Sequence, residues 1–165
     1  MYVRRRDETP VYLTLDATYL LPTAAWRLRD RRIYDFAPTN VVAITLAGGG
    51  KTNRVARGPQ GWSADPLINA ALQEVLFNLG QLQARDWVEK GANAMPRYGF
   101  QRDGLMLEVE MNPGYPTAPP PIIFGKRAVR INVYGATVLP GDAEPTLFTF
   151  PGELYDSLTN AFGGR

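Results

Sequence analysis

The 165-residue sequence contains no cysteine and no histidine, and its only serines are Ser63 and Ser157. Without cysteine the chain has no disulfide framework and no thiol nucleophile. Without histidine it lacks the commonest general base, the commonest metal ligand and the side chain that titrates near neutral pH. These absences exclude thiol catalysis, a serine–histidine pair and a histidine-based metal site. We expect no catalytic residues, no cofactor and no metal.

Long apolar runs are also missing. No stretch approaches the ~18 consecutive apolar residues of a membrane span, and no apolar segment of a signal peptide follows the first residues. An apolar content of 45% and a charged content of 21% are ordinary for a globular protein. At 165 residues, the chain has the length of about one domain and can bury a core without a metal or a partner.

The chain has little excess of one charge sign, because 18 lysines and arginines against 16 acids give a net charge of +2. Seven of the arginines and five of the acids lie in residues 1–36, so the rest of the chain is neutral overall. Aromatic residues near these arginines are one alternative, because they suit a platform on which the bases of single-stranded nucleic acid stack. These residues are Tyr2, Tyr12, Tyr19, Trp26 and Tyr34. Aromatic residues in strands more often pack within a sheet. Since a nucleic-acid site needs a basic excess, we predict no nucleic-acid partner.

The strongest local signal is a helix over about residues 65–84. Asp65 suits the N-cap and Pro66 the first helical position. Apolar residues then recur at spacings of three and four, which is typical of one helix face packed on a core. This predicted stripe consists of Leu67, Ile68, Ala71, Leu72, Val75, Leu76, Leu79 and Leu82.

Several segments have the composition or alternation of strands. Residues 41–57 predict a hairpin that turns at Gly48-Gly49-Gly50-Lys51, and residues 105–111 alternate so that Glu108 and Glu110 face solvent. Further strands are predicted at residues 11–15, 122–124, 129–133 and 146–150. Helical segments are predicted at residues 17–21, 24–32 (a short helix or a linker) and 152–162, and a loop with five prolines at residues 113–121. This order predicts an α+β fold in which a mostly antiparallel sheet carries one long amphipathic helix and a short C-terminal helix.

Four motifs are candidates for a chemical function, but each also has a purely structural interpretation. Gly48-Gly49-Gly50-Lys51-Thr52 resembles the end of a phosphate-binding loop, but Thr45 stands where that pattern needs glycine, and a strand follows instead of a helix. Glu108 and Glu110 resemble paired catalytic or metal-binding carboxylates, although alternation alone predicts two exposed acids. Asp86 with Glu89 is a similar pair, predicted at a helix end. Ser63 has no nucleophile-elbow context and no base.

An internal similarity joins the two ends of the chain. Residues 7–15 match residues 142–150 without gaps at an offset of 135, and Asp7, Pro10 and Thr14 recur as Asp142, Pro145 and Thr149. We therefore predict that residues 1–36 are the tail of a preceding module with a connector. Residues 37–165 would be one complete α+β module, and the whole would form one compact unit cut from a longer chain.

The order of these segments resembles the domain of unknown function 4340 family, whose members look like repeated modules. The family's hairpin corresponds to residues 41–57 with Trp62, and its leucine-rich helix to residues 67–84. Its Tyr-Gly-Leu signature corresponds to Arg97-Tyr98-Gly99-Phe100, with phenylalanine in place of leucine. The following strand, the Ile-Gly turn and the closing strand resemble residues 105–111, Ile123-Phe124-Gly125-Lys126 and residues 146–150. The Arg-Asp-Arg connector resembles residues 28–33.

The resemblance implies no assigned activity and no catalytic residues. It implies modules that are anchored to a membrane, lie outside the cytoplasm and are often encoded beside transport-complex components. The first hypothesis is thus a non-enzymatic, extracytoplasmic interaction or scaffold module with a protein partner, which it contacts through the proline-rich loop and the arginine connector. The second is a small-ligand or glycan-binding domain. The third is a carboxylate-based hydrolase that uses Glu108 and Glu110.

Overall fold

The computed structural model describes residues 2–3, 9, 12–13, 29–101, 104–128 and 131–162. The chain divides into two compact units, Met1–Asp30 and Arg31–Arg165. In the first unit, strands β1 (Tyr2–Val3) and β2 (Tyr12–Leu13) pair antiparallel, with Tyr2 opposite Leu13. Of the strand predicted at residues 11–15, the structure describes only Tyr12–Leu13, which form β2. The helical turn predicted at residues 17–21, and most of the segment at 24–32, lie outside the described residues.

The second unit is built on a seven-stranded sheet in the order β4-β3-β6-β7-β8-β9-β5. Every neighbouring pair of strands is antiparallel. The strands are β3 (Val41–Gly48), β4 (Lys51–Ala56), β5 (Asp86–Lys90), β6 (Met106–Met111), β7 (Ile122–Arg127), β8 (Asn132–Thr137) and β9 (Thr146–Pro151). The helices are α1 (Pro66–Gly80) and α2 (Gly152–Phe162), with short 3-10 helices at Pro38–Asn40 and Ala92–Tyr98. The predicted α+β class, with a mostly antiparallel sheet and a C-terminal helix, is confirmed.

The hairpin of β3 and β4 turns at two glycines. Gly49 and Gly50 have φ angles of 58° and 74°, and Gly48 pairs with Lys51. Two consecutive positive φ angles define the tight turn that matches the twist of the flanking strands, and glycine adopts them without a steric penalty. The hairpin interpretation of the glycine-rich motif is confirmed, since Thr52 continues into β4 and no helix follows the lysine.

Helix α1 begins as predicted and ends earlier. The Asp65 side chain accepts hydrogen bonds from the amides of Leu67 and Ile68, which satisfies two helix-terminal donors. The helix ends at Gly80 and not near residue 84. Residues 82–84 instead run beside the segment 31–34, where the amides of Ile33 and Ala84 bind the carbonyls of Leu82 and Arg31 at 2.9 and 2.8 Å.

Only part of the predicted apolar stripe is buried. Leu72, Leu76 and Leu79 are buried in the core, and Leu82 is buried just beyond the helix. Leu67 and Ile68, in contrast, are 82% and 52% exposed, and Ala71 is exposed. The prediction that the stripe is buried from its first turn is wrong, because its burial begins only at Leu72.

The main core lies between the helices and one face of the sheet. The centroid of the Phe124 ring on β7 lies 5.2 Å from that of Tyr155 on α2 and 5.7 Å from that of Phe150 on β9. Trp62 packs edge-on against Phe162 at the end of α2. Because side chains alternate along a strand, the neighbour Ile123 faces the other side of the sheet.

The other face carries a second, smaller cluster under the 3-10 helix Ala92–Tyr98. Its buried members are Ala94, Phe100, Ala136 and Leu147, and Ile123 and Tyr134 pack against them. The sequence did not predict this helix. Two predicted boundaries also change: β7 continues through Gly125 to Arg127, and the strand predicted at residues 129–133 is observed at Asn132–Thr137, with residues 129–130 outside the described part.

Candidate functional site

The proline-rich loop, residues 113–121, is held at both ends by hydrogen bonds. The Tyr115 hydroxyl donates to the carbonyl of Asp35 at 3.1 Å, and the Tyr34 hydroxyl donates to the carbonyl of Pro120 at 2.7 Å. Beside these, Thr137 Oγ1 donates to the carbonyl of Pro121 at 2.7 Å. The loop is therefore an ordered surface feature that is bonded to Tyr34 and Asp35, just after the connector at residues 28–33.

Tyr34 is the buried anchor of this loop. Its side chain is 3% exposed, and its ring lies 5.5 Å from that of Phe36. Burial raises the pKa of the Tyr34 phenol well above its usual range, because the charged phenolate would lose its hydration. The hydroxyl therefore remains a hydrogen-bond donor at all ordinary pH values. Tyr34 was predicted as a possible stacking residue for nucleic acid, and its burial leaves no ring face for a base.

Among the residues that the structure describes, the other aromatic residues proposed for stacking do not form a platform. Tyr2 and Tyr12 lie on the paired strands β1 and β2, whereas Tyr19 and Trp26 lie outside the described residues.

The proline-rich loop and residues 33–36 meet at a groove of about 300 Å³, whose lining includes Ile33 and Phe36 on one side and Pro116 and Pro119 on the other. Of the connector at residues 28–33, only Ile33 lines this groove, and the arginines predicted as partner contacts are not in its lining.

A second groove, of about 470 Å³, separates the loop from the exposed face of β6. Glu108 and Glu110 line it opposite Tyr115 and Pro119. Both acids are exposed, as the alternation predicts, while Leu107 and Val109 are buried. Glu110 is not a lone carboxylate, because it accepts a hydrogen bond from Arg54 Nη2. The two acids of the third hypothesis, a hydrolase, thus lie on the same wall of one groove. One of them, Glu110, forms an ion pair with Arg54.

The other acidic pair lies on a strand, so its prediction at a helix end is wrong. Asp86 and Glu89 belong to β5, because residues 85–90 pair with β9. Glu89 accepts hydrogen bonds from Tyr98 Oη at 2.9 Å and from Arg97 at 3.1 Å. The hydrogen bond to Glu89 is the main cause that raises the pKa of Tyr98. The carboxylate thereby fastens the 3-10 helix to the sheet.

The signature Arg97-Tyr98-Gly99-Phe100 contacts the Ile-Gly turn. Gly99 ends the 3-10 helix with a φ of 78°, and Phe100 is buried in the second cluster. A methyl group built on Gly125 would lie 2.6 Å from the carbonyl oxygen of Tyr98 and 3.0 Å from the Phe100 ring. These two segments therefore form one packing contact, in which glycine allows β7 to lie against the backbone of the 3-10 helix.

A polar cleft of about 930 Å³ lies where α1 ends, β5 begins and β9 passes into α2. It contains amides, charged groups and one hydroxyl: Arg31, Glu74, Asn78, Gln81, Gln83, Arg85, Asp86, Asn132, Glu153 and Ser157. Arg31 Nη1 donates to the carbonyl of Arg85 at 2.7 Å, which holds one wall in place. Such a lining suits a polar ligand.

Ser63 has a local structural contact. Its Oγ accepts a hydrogen bond from the amide of Asp65 at 3.1 Å, just before α1.

Within residues 29–101, 104–128 and 131–162, no three acidic residues gather in a group that could hold a metal ion. None of the helices described is both long enough and apolar enough to cross a membrane.

The fold and these surfaces define an α+β module whose sheet carries helices on one face and a signature-bearing 3-10 helix on the other. The chain belongs to the family described as Domain of unknown function (DUF4340), whose model matches residues 1–103. The predicted family membership is confirmed. The family-like motifs after residue 103 lie beyond the matched region. No curated protein and no solved structure matches the chain significantly.

Proposed function

We propose that this chain is a non-enzymatic interaction or scaffold module on the extracytoplasmic side of a membrane, accessory to a membrane transport-type complex. The observation that carries the proposal is the anchored proline-rich loop. Pro113, Pro116 and Pro121 are exposed, yet hydrogen bonds from Tyr34 and Tyr115 hold the loop in place. A surface that is ordered before binding loses little conformational entropy when a partner arrives.

The composition of the loop also favours protein recognition. Tyrosine is enriched in protein interfaces, and half-buried Tyr115 lines both grooves beside the loop. One groove is mainly apolar and the other carries Glu108 and Glu110. A partner that straddles the loop would meet an apolar contact on one side and carboxylates on the other. The extracytoplasmic location and the transport-type partner rest on the family resemblance.

The test is recovery of partners from a membrane extract of the source organism, with the folded domain as bait and quantitative mass spectrometry as the readout. We expect the native domain to enrich transport-complex subunits, and the double variant Tyr115→Ala, Pro116→Ala to lose most of that enrichment. Phe77→Ala, which truncates an exposed aromatic residue on α1, is the matched control and should retain it. A folded native domain that enriches no such subunit, or a loop variant that enriches them equally, would contradict the proposal.

A small-ligand or glycan-binding function is the second candidate, and the polar cleft favours it. Planar amides such as Asn78, Gln81 and Gln83 suit ligands that carry several hydroxyl groups, because each amide both donates and accepts hydrogen bonds. Thermal unfolding with a panel of neutral monosaccharides tests this function. A sugar that binds the folded cleft should raise Tm for the native domain and not for Asn78→Ala. Equal shifts for both proteins, or none, would remove this candidate.

A further inference from the structure

The hairpin strand β4 lies at one edge of the sheet. It pairs with β3 on its inner side, and in the part of the chain that the structure describes no strand pairs with its outer side. An edge strand presents a row of backbone donors and acceptors that another extended segment can bind. The side chains of Lys51, Thr52, Arg54 and Ala56 are all exposed, so none of them is covered by the rest of the unit.

The register identifies which backbone groups point outward. The amide of Arg57 donates to the carbonyl of Val42 at 2.8 Å, so this pair stands at a hydrogen-bonded position of the ladder. In an antiparallel ladder every second pair does so. The pairs Ile44–Val55 and Leu46–Asn53 are therefore also hydrogen-bonded. The N–H and C=O groups of Thr52, Arg54 and Ala56 consequently point away from β3, toward the open edge.

The two edges of the sheet differ in how they limit such pairing. At the opposite edge, β5 has an irregular register between Trp87 and Glu89, and Glu89 is engaged by the 3-10 helix. Bulges and engaged side chains hinder the docking of a further strand. Strand β4, by contrast, pairs with β3 in one unbroken register from Lys51 to Ala56, and it contains no proline.

Charge selects the occupant of this edge. Lys51, Arg54 and Arg57 lie along it, and no acidic residue occurs between Asp35 and Asp65. Arg54 is partly neutralised by Glu110 on β6, which leaves the two ends of the strand positive. A second copy of β4 would set cations against cations, and like charges on paired strands are destabilising. An extended segment with acidic residues meets the opposite charge.

We infer that the outer edge of β4 binds an extended, acidic segment of a partner protein by adding it to the sheet as an eighth strand. The backbone groups of Thr52, Arg54 and Ala56 form its hydrogen bonds, and Lys51 and Arg57 attract its carboxylates. This surface shares no residue with the loop variant tested above. Failure of one proposal is thus distinguishable from failure of the other.

The probe is a heptapeptide, acetylated and amidated, of sequence Glu-Val-Thr-Val-Thr-Val-Glu. The readout is the backbone amide spectrum of the ¹⁵N-labelled chain, together with amide hydrogen exchange. We expect peptide-dependent shifts at Thr52, Arg54 and Ala56. With peptide at five times its dissociation constant, exchange of these outward amides should slow about six-fold, since only the free fraction exchanges. Exchange at Asn53 and Val55, whose amides already bind β3, should change little.

Two variants separate strand addition from loose electrostatic attraction. Ala56→Pro removes one outward donor and leaves the bonds to β3 intact, so affinity should fall about three- to ten-fold. Lys51→Gln should weaken binding about two- to five-fold. Its control Lys126→Gln, at the exposed end of β7, should not weaken it. Lysine in place of both peptide glutamates should abolish binding.

Three outcomes would overturn the inference. The first is the absence of shifts at 10 mM peptide in a chain whose spectrum is folded. The second is equal binding of the lysine peptide, which would mean that charge does not select the occupant. The third is protection of the outward amides that rises with protein concentration in the absence of peptide, which would identify a second copy of the chain as the occupant. Should Ala56→Pro fail to fold, the Lys51→Gln comparison still decides the question.

Discussion

Replacing Tyr34 with phenylalanine removes one buried hydroxyl and leaves the packing of the ring in place. At neutral pH the variant loses the hydrogen bond from the Tyr34 hydroxyl to the carbonyl of Pro120, which measures 2.7 Å. A hydrogen bond of this kind contributes about 1 kcal/mol to stability. Pro120 is half-buried, so water can reach its carbonyl in the variant and no larger penalty is expected. Urea unfolding at pH 7 should therefore show a loss of about 1 kcal/mol.

The same hydroxyl makes the native protein sensitive to alkali. Burial raises the pKa of Tyr34 in the folded state, whereas in the unfolded chain a tyrosine has a pKa of about 10. Above that pH the unfolded state loses a proton that the folded state keeps, so stability falls as pH rises. The contribution of Tyr34 is fully present below pH ~10 and is lost above it, by about 1.4 kcal/mol between pH 9 and pH 11.

These two effects have opposite signs, so the stability curves of the two proteins should cross. Tyr34→Phe is less stable at pH 7 by about 1 kcal/mol and has no Tyr34 proton to lose at high pH. We expect the free energies of unfolding to become equal at about pH 10.6, with the variant the more stable protein at pH 11. The assay is urea unfolding of both proteins at half-unit pH steps from 7 to 11. All other titrating groups are common to the two proteins and cancel in the difference.

Parallel curves across the whole range would refute the reasoning about Tyr34. They would mean that the phenol ionises equally well in the folded and unfolded states, and thus that it is not buried as described. A variant with unchanged stability at pH 7 would refute the anchoring of the loop by Tyr34. Amide exchange of residues 114–118 offers an independent check, because loss of the anchor should speed exchange in the loop.

Three further substitutions test the fold. Gly125→Ala should destabilise by about 1–3 kcal/mol, because its methyl group overlaps the 3-10 helix, whereas Gly58→Ala, with its nearest neighbour at 3.8 Å, should change Tm little; equal effects would contradict the packing contact. Asp65→Ala should cost about 1 kcal/mol through loss of the N-cap, and urea unfolding with no change would show the cap to be unimportant. Leu76→Ala should cost about 2–5 kcal/mol, while Leu67→Ala should stay within about 0.5 kcal/mol; a large loss for Leu67 would show that the first turn of α1 is buried.

Local patterns determined most of the elements. The N-cap at Asp65, the glycine turn of the hairpin, the alternation around Glu108 and Glu110 and the terminal helix at Gly152–Phe162 were all predictable. Each of these features depends on residues that are near neighbours in the chain. A capping carboxylate, a turn that needs positive φ and a period of two along a strand act within a few residues.

Features that depend on distant residues were decided by the tertiary structure. The end of α1 at Gly80 follows from pairing of residues 82–84 with residues 31–34. The exposure of Leu67 depends on which turns of α1 are covered by other elements, and the helical period does not encode that. The anchored loop likewise joins Tyr34 to Pro120, 86 residues apart. Sequence indicates which side chains can be buried or bonded, but which of them meet is settled by the packing of segments far apart in the chain.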